Sequence, residues 1–472
     1  MATIEELEAR ILVLEQALSD AQAAVAANAG SITQNSNDIA TNATSIGNCV
    51  TAITNLQSAT ADNSTAIATN ASSISTNLGL IQANADIISD IGEVFEHVEY
   101  TTINGHPALV FTNVNVHIRN GLGATDTLNG TGNLIIGYDE AEPGFPFGSK
   151  VASHSLIMGK YHRYSSYASL VAGYTNSILG NYSSVTGGYN NQATGDFSAV
   201  SGGRDNSASG WCSSISGGSG NVASAGTSSI NGGTANNADG SSSSISGGYK
   251  NKIFGDAYDA SITGGSFNEI HDPLASISGG GNNIIRTSNY NAYLTGGSSI
   301  SGGFSNKIEC NNASISGGQS NTILHNGEYS SISGGVGNKI EWYKASISGG
   351  QSNTIAAKGE YSSISGGFGN RIESNNAFIA CGIQNVIVST ASQSSISGGY
   401  QNWIHGATSS INGGLVNIVK GNYAAINGGY RNQATGDFSA VSGGRDNLAS
   451  GRFATVIGGS ERISKGESGI AP

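Results

Sequence analysis

The sequence predicts a mainly β chain with an α-helical N-terminal part: a parallel trimeric coiled coil followed by a parallel β-solenoid, or β-roll, of 15–17-residue coils. A phrase of the form S-S-I-S-G-G-x-x-N-x-I occurs nineteen times between Leu170 and Arg462, at intervals of 15 or 17 residues and once of 23. Before it, aliphatic residues recur every seven positions from Ile4. We therefore predict a coiled-coil shaft at 1–91, a β-rich adaptor at 92–150 and a solenoid head at 151–472.

The shaft is predicted from two heptad columns. The column from Ile4 to Ile88 is aliphatic at twelve of its thirteen positions, as in position a of a coiled coil, whereas position d turns largely to asparagine. In a parallel three-stranded coil, the three copies of an asparagine meet on the axis and can direct amide N–H groups at one anion or water. We therefore predict a homotrimer without a cofactor, in which water molecules or chloride-like anions lie on the axis. The axial layers would be formed by Asn28, Asn35, Asn42, Asn63, Asn70, Asn77 and Asn84.

The adaptor keeps neither period. Short β-rich runs begin at Val98, Ala108 and Val114, and an Asn104-Gly105 pair separates the first two. Asn-Gly between such runs is typical of a two-residue hairpin turn. The segment thus predicts a hairpin followed by a third strand over 114–118.

The head is predicted from apolar columns that recur in every copy. Taking the first glycine of the Gly-Gly pair as position 0, position −2 is apolar from Leu170 to Val456, and position +6 is Ile, Val or Ala until Ser464. One unit is too short to enclose a core, so the coils above and below must complete it, as in a solenoid. Branched residues favour strands, and the glycine pair permits a tight corner.

Position +4 is asparagine in eighteen of the nineteen copies. We expect an amide ladder in which each side chain bonds to its copy in the next coil and to turn carbonyls. Aromatic residues recur at positions −5 and +2, for example Tyr182 and Tyr189. Such rings either stack on one another to stabilise the coils or receive the faces of sugars.

A partner surface is predicted where the interval alternates between 15 and 17 residues, from Gly302 to Gly398. Two additional residues do not fit an unchanged corner, so they form a row of outward loops. Insertions on one face of a repeat protein often bind a partner, although these loops can instead merely relieve packing. Three tryptophans lie off both aromatic columns and join the candidates. The predicted partner-contact residues are Trp342, Tyr343, Lys344, His325, Glu328, Lys358, Glu360, Trp211 and Trp403.

The repeated Ile-x-x-Asn units, such as Ile32-Thr-Gln-Asn35 and Ile67-Ala-Thr-Asn70, resemble the stalks of trimeric autotransporter adhesins. The Ser-Ile-Ser-Gly-Gly coils resemble the β-roll heads of those adhesins, which have a slightly shorter repeat. The resemblance implies axial anions held by the stalk asparagines. The first residues show no signal-peptide pattern and the last ones no membrane-anchor strands. The architecture is also similar to the tail fibres of phages and contractile injection particles.

Composition excludes several function classes. The net charge is −12 and basic clusters are absent, which disfavours a nucleic-acid partner. No run of 18 apolar residues predicts membrane insertion, and the four cysteines show neither metal-ligand nor disulfide spacing. The sequence also lacks catalytic motifs such as G-x-S-x-G or a Walker loop. We therefore expect no catalytic, cofactor-binding or metal-binding residues.

These observations favour a homotrimeric adhesive or structural fibre, extracellular or at a cell surface, that binds a receptor or glycan multivalently. One alternative is a tail fibre of a phage or contractile injection particle, which needs no signal peptide. Another is a polysaccharide-processing β-helix enzyme, which a cluster of carboxylates on one face would indicate.

Overall fold

The computed structural model describes residues 4–88, 97–141, 150–287 and 297–472. It is mainly β, with a parallel β-solenoid of about 15-residue coils. The chain divides into two compact units, Met1–Val116 and His117–Pro472. The domain boundaries given above stay a prediction.

The first unit contains one helix and one hairpin. Helix α1 runs over Ile4–Ile88, and exposed threonines along it donate hydrogen bonds to the carbonyl four residues earlier, as Thr44 does to Ala40. Strands β1 (Val98–Ile103) and β2 (His106–Phe111) pair in antiparallel fashion.

The predicted hairpin turn at Asn104-Gly105 is confirmed, because both residues have positive φ, 52° and 82°, as a type I′ turn requires. The third predicted strand is wrong, since residues 114–118, all described, form no strand. Their side chains are all exposed, so they lack the buried face that would hold a strand on a sheet.

The second unit is a solenoid of about 20 turns, built from two parallel sheets. Each coil contributes one short strand to sheet 1, which carries position −2, and one to sheet 2, which carries position +6. The strands of sheet 1 are Leu134–Ile136, Leu156–Lys160, Leu170–Tyr174, Ser184–Val185, Ala199–Val200, Ser214–Ile215, Ser229–Ile230, Ser244–Ile245, Ser261–Ile262, Ser276–Ile277, Ser299–Ile300, Ser314–Ile315, Ser331–Ile332, Ser346–Ile347, Ser363–Ile364, Phe378–Ile379, Ser395–Ile396, Ser410–Ile411, Ala425–Ile426, Ala440–Val441, Thr455–Val456 and Ile470–Ala471. The strands of sheet 2 are Arg163–Tyr164, Ser177–Ile178, Gln192–Ala193, Ser207–Ala208, Val222–Ala223, Asn237–Ala238, Lys252–Ile253, Glu269–Ile270, Ile284–Ile285, Lys307–Ile308, Thr322–Ile323, Lys339–Ile340, Thr354–Ile355, Arg371–Ile372, Val386–Ile387, Trp403–Ile404, Ile418–Val419, Gln433–Ala434, Leu448–Ala449 and Ile463–Ser464.

Register is kept through coils of different length. Ile315 of one coil pairs with Ile332 of the next across a 17-residue interval, and Ile277 pairs with Ile300 across the 23-residue interval. In the 17-residue coils, the additional residues lie at the corner between a sheet 2 strand and the following sheet 1 strand. Pairing above and below this corner is therefore unchanged.

The core lies between the two sheets of one chain and consists mainly of two facing columns of isoleucine, valine and alanine side chains. From the coil of Val185 onward, the residues at position −2 are all buried, Ile332 and Ile347 with 0% of their surface exposed. Position +6 faces them from sheet 2, as Ile340 does. A third buried column, position −4, holds only serine or alanine, for example Ser330 and Ala345, and the sequence comparison did not identify it.

The first copy is shifted by one residue from the predicted register. Val171, not Leu170, pairs with Val185 and is fully buried, whereas Leu170 pairs with Ser184 and is half-exposed. Gly173 nevertheless stacks on Gly188. The coil is therefore one residue shorter between its core residue and its corner glycine.

Candidate functional site on the solenoid

The predicted axial asparagines occupy α1, and its backbone is helical at all seven of them. Their side chains lie outside the described residues. The axial anion layers therefore stay a prediction.

The asparagines at position +4 have a structural role. The Nδ2 of Asn353 donates to the carbonyl of Gly349 in its own coil and to that of Gly367 in the next coil, both at 3.0 Å. Its Oδ1 accepts the backbone N–H of Asn370 at 3.0 Å. The ladder thus joins side chains mainly to backbone groups rather than amide to amide. Because these polar atoms are buried and satisfied, the column offers nothing to a ligand.

Several predicted partner-contact residues do come together at one corner of the stack, which we call the Trp342 corner. It consists of Trp342, Tyr343, Lys344, Glu360 and Tyr361. The Trp342 and Tyr343 rings lie 5.8 Å apart, and Lys344 Nζ donates to the Tyr361 hydroxyl at 2.7 Å while lying 4.8 Å from the centre of that ring.

The polar groups of the Trp342 corner satisfy one another. The Tyr343 hydroxyl hydrogen-bonds to Glu360, which raises the pKa of Tyr343 above its ordinary value. The Lys344 backbone N–H also donates to the carbonyl of Glu328 in the preceding coil, which places that predicted residue at the same corner. This mutual pairing favours a role in holding neighbouring coils of unequal length together.

The two-residue insertions form added turns at this corner of the solenoid. In two long coils, Gly327 N–H donates to the Leu324 carbonyl and Gly359 N–H to that of Ala356. Each of these glycines is buried, and a Cβ on it would lie 2.3–2.4 Å from an isoleucine methyl group. The predicted residues His325 and Lys358 are exposed on these turns.

The other two predicted tryptophans lie apart. Trp211 is 59% exposed and meets Phe197 of the preceding coil edge to face, with ring centres 6.3 Å apart. Trp403 lies on the outer face of sheet 2, at position +5, and is 41% exposed. Of the nine predicted residues, five therefore lie at the Trp342 corner, including Glu328. His325 and Lys358 lie at loop tips, and Trp211 and Trp403 lie at two separate sites.

Trp403 lies in a groove of about 690 Å³ on the outer face of sheet 2. We call this the Trp403 groove. Its floor is an apolar row formed by Val386, Trp403 and Ile418, three successive residues of the same column. The remaining lining comes from Gly369, Arg371, Gln384, Gln401, His405, Val416 and Lys420. Sequence comparison missed the groove, although position +5 is polar in most other coils and this is its one run of three consecutive apolar residues.

The rim of the Trp403 groove is polar on both sides. On one side, Gln401 Nε2 donates to Gln384 Oε1 at 2.9 Å, and both amides are open to solvent. On the other side, His405 lies parallel to the Trp403 indole with ring centres 6.1 Å apart. Burial, followed by the charge of Lys420, lowers the pKa of His405 below its ordinary value.

A second cavity, of about 450 Å³, lies near the start of the second unit and is lined by His117, Arg119, Asn120 and His154 among others. His154 uses both ring nitrogens internally: Nε2 accepts the Asn120 N–H at 3.2 Å, and Nδ1 donates to the Thr125 carbonyl at 3.0 Å. The His154 imidazole therefore has no uncommitted ring nitrogen to offer a ligand.

The aromatic columns form stacked pairs between adjacent coils. Tyr423 and Phe438 are nearly parallel, with centres 4.8 Å apart, and Phe438 stacks on Phe453 at 4.9 Å. The Tyr423, Phe438 and Phe453 backbones all have positive φ, a region unfavourable for bulky residues. Ring stacking offsets part of that strain. The predicted stacking is therefore observed in these pairs, and sugar binding by the exposed rings stays a prediction.

Across the described parts of the chain, no three His, Cys, Asp or Glu residues are grouped so as to hold a metal ion. Within the same residues, no helix is long and apolar enough to cross a membrane. The sequence matches no protein-family model, and no curated protein is similar to it.

Proposed function

We propose that this chain is the subunit of a homotrimeric adhesive or structural fibre that acts outside the cell or at its surface and binds a receptor or glycan multivalently. The observation that supports it best is the solenoid itself, in which side chains at a given position recur at the same register over about 20 turns. At about 4.8 Å per coil, this stack extends for roughly 95 Å. Such a body presents a long surface on which weak contacts can be repeated.

The proposed trimer rests on α1. The helix is continuous through every predicted axial asparagine, and at 1.5 Å per residue it spans roughly 130 Å. A helix of this length with a polar sequence gains little stability alone, so association with other copies is the expected source of it. Three copies would present each surface site three times, so weak single contacts sum to useful avidity.

Solution mass is the first test. Sedimentation equilibrium of the whole chain should give three times the mass of 47.7 kDa. A monomer or dimer at micromolar concentration would contradict the proposal. An adhesin and a tail fibre of a phage or contractile injection particle share this architecture, and labelling the C-terminus on the intact source cell or particle distinguishes them.

A further inference from the structure

The Trp403 groove has the chemistry of a ligand site rather than that of repeat packing. Elsewhere in the aromatic columns, rings stack on rings of adjacent coils. Trp403 instead has aliphatic neighbours, Val386 below and Ile418 above, so its indole face is not covered by another large ring from those coils. The result is a flat apolar strip three coils long, bounded by hydrogen-bonding side chains.

Charge distinguishes this groove from the Trp342 corner. Arg371 at one end is neutralised by Glu373, with Nε and Oε1 2.6 Å apart. Lys420 at the other end is exposed, and among the described residues its ammonium group makes neither an ion pair nor a side-chain hydrogen bond. On a chain of net charge −12, Lys420 gives this end of the groove an unpaired positive charge.

We propose that the Trp403 groove binds an acidic polysaccharide, with the apolar face of a sugar ring on Trp403 and its carboxylate at Lys420. This inference rests on the proposed function and names the class of ligand. The Gln384 and Gln401 amides supply donors and acceptors for ring hydroxyls, because their mutual bond leaves further capacity on both groups. A neutral sugar would use the ring and the amides but leave Lys420 without a counter-charge, which is why a carboxylate-bearing chain fits better.

The test uses the whole chain with polygalacturonate as the probe, and with methyl-esterified polygalacturonate as a comparator that has the same rings without the charges. Calorimetric titration should show binding to the charged polymer and at least tenfold weaker binding to the ester. Trp403→Ala should weaken binding by roughly tenfold or more, as for an aromatic residue at the centre of a contact. Lys420→Gln should weaken it by several-fold and reduce its dependence on salt concentration.

Two control variants match these changes. Tyr258→Ala removes an exposed aromatic ring outside the groove, and Lys465→Gln removes an exposed lysine from the same column as Lys420, three coils away. Both should bind as the unaltered protein does. Lys420→Gln also covers the case in which Trp403→Ala fails to fold, because the Lys420 side chain is solvent-exposed.

The other outcomes overturn the inference in different ways. Equal binding to the charged and esterified polymers would remove the acidic specificity. A change of Trp403→Ala from trimer to monomer, measured by sedimentation, would make a second copy of this chain the occupant of the groove. Attachment to cells or to a glycan array without binding to polygalacturonate would refute the groove assignment and leave the proposed function standing. Absence of attachment to any surface would refute the proposed function as well.

Discussion

His162 Nδ1 accepts the backbone N–H of Asn176 at 3.2 Å, in the position where the following coils use the Oδ1 of an asparagine. Its Nε2 donates to the Met158 carbonyl at 2.8 Å, as the asparagine Nδ2 does in the other coils. The imidazole is buried and acts as a neutral substitute for one rung of the ladder. The bond from Asn176 requires an Nδ1 without a proton, and the bond to Met158 requires a proton on Nε2.

This geometry predicts acid sensitivity at the start of the solenoid. Burial lowers the pKa of His162 below its ordinary value of 6.5. Above pH 6.5 the residue is neutral in both folded and unfolded chains; as the pH falls from there towards the lowered pKa, only the unfolded chain gains the proton, so stability decreases. The protection factors of the amides over 156–176, which are the intrinsic exchange rates divided by the observed rates at the same pH, should therefore be lower at pH 5 than at pH 7. The lowered pKa of His405 adds a similar effect elsewhere, which a local measurement separates.

The matched variant is His162→Asn, which restores the ladder residue without a titratable group. It should remove the loss of protection over 156–176 at pH 5 while leaving the protection factors around His405 as before. Protection factors that depend on pH equally in both proteins would show that His162 is not the responsible group.

A second prediction concerns the two glycines of one corner. Gly335 has φ +90°, and a Cβ on it would lie 2.1 Å from the carbonyl oxygen of Gly350, whereas Gly334 has nothing within 4 Å of the same position. Gly335→Ala should thus cost several kcal/mol, roughly, from a backbone clash added to an unfavourable φ. Gly334→Ala should be within about 1 kcal/mol of the unaltered protein. Trypsin cleavage at the nearby Lys339 reports the difference, and equal cleavage of the two variants would contradict it.

A third prediction tests the ladder at one rung. Asn353→Ala leaves two buried carbonyls and the N–H of Asn370 without this side chain as a partner, and each such group costs about 1–3 kcal/mol. Thermal unfolding should shift to clearly lower temperature. Ser352→Ala, at the exposed neighbouring position, is the control and should unfold nearly as the unaltered chain does. If both variants behaved alike, the buried bonds would be of no consequence for stability.

The repeat columns predicted the solenoid because a period of 15 residues forces like side chains to stack, and Ile215 above Ile230 is one result. The sequence could not place Val171 in the core. Its coil is one residue shorter between the core residue and the corner glycine, and the spacing of the Gly-Gly pairs does not show this. Nor could the sequence show His162 as a ladder residue, since imidazole and amide are different groups that share one hydrogen-bonding geometry. The Trp403 groove depends on which columns face outward, and that is settled only by the three-dimensional path of each coil.

A fourth prediction addresses the core. Ile332→Asp places a carboxylate between the two sheets of its own chain, where Ile332 is 0% exposed. Burial of an unpaired charge should cost several kcal/mol, roughly, and open the adjacent coils, which share this core. Ser333→Asp adds the same charge at the exposed neighbouring position and serves as the control. Hydrogen exchange as slow in Ile332→Asp as in the control would mean that the charge is accommodated without opening.

A fifth prediction concerns the shaft. If Asn35, Asn42, Asn70 and Asn77 lie on the axis of a trimer, replacing them by isoleucine should raise the melting temperature of α1, because apolar layers replace buried polar ones. Circular dichroism at the helical band follows this transition separately from the β signal. Loss of helix in the variant would show that the asparagines determine which assembly forms, in addition to occupying its axis.

From the coil of Val185 onward, the intervals between core residues vary in the stretch between a sheet 2 strand and the following sheet 1 strand. After intervals of 15, 17 and 23 residues, the chain returns to the same core and asparagine columns. After the 23-residue interval, for example, Ile300 pairs with Ile277, and the Asn306 N–H donates to Asn283. Genetic insertion in that stretch therefore changes the outside of the protein without altering its scaffold. A peptide inserted between residues 286 and 298 would be displayed at a defined position along the solenoid axis. Insertions in several coils would therefore hold foreign peptides at chosen spacings.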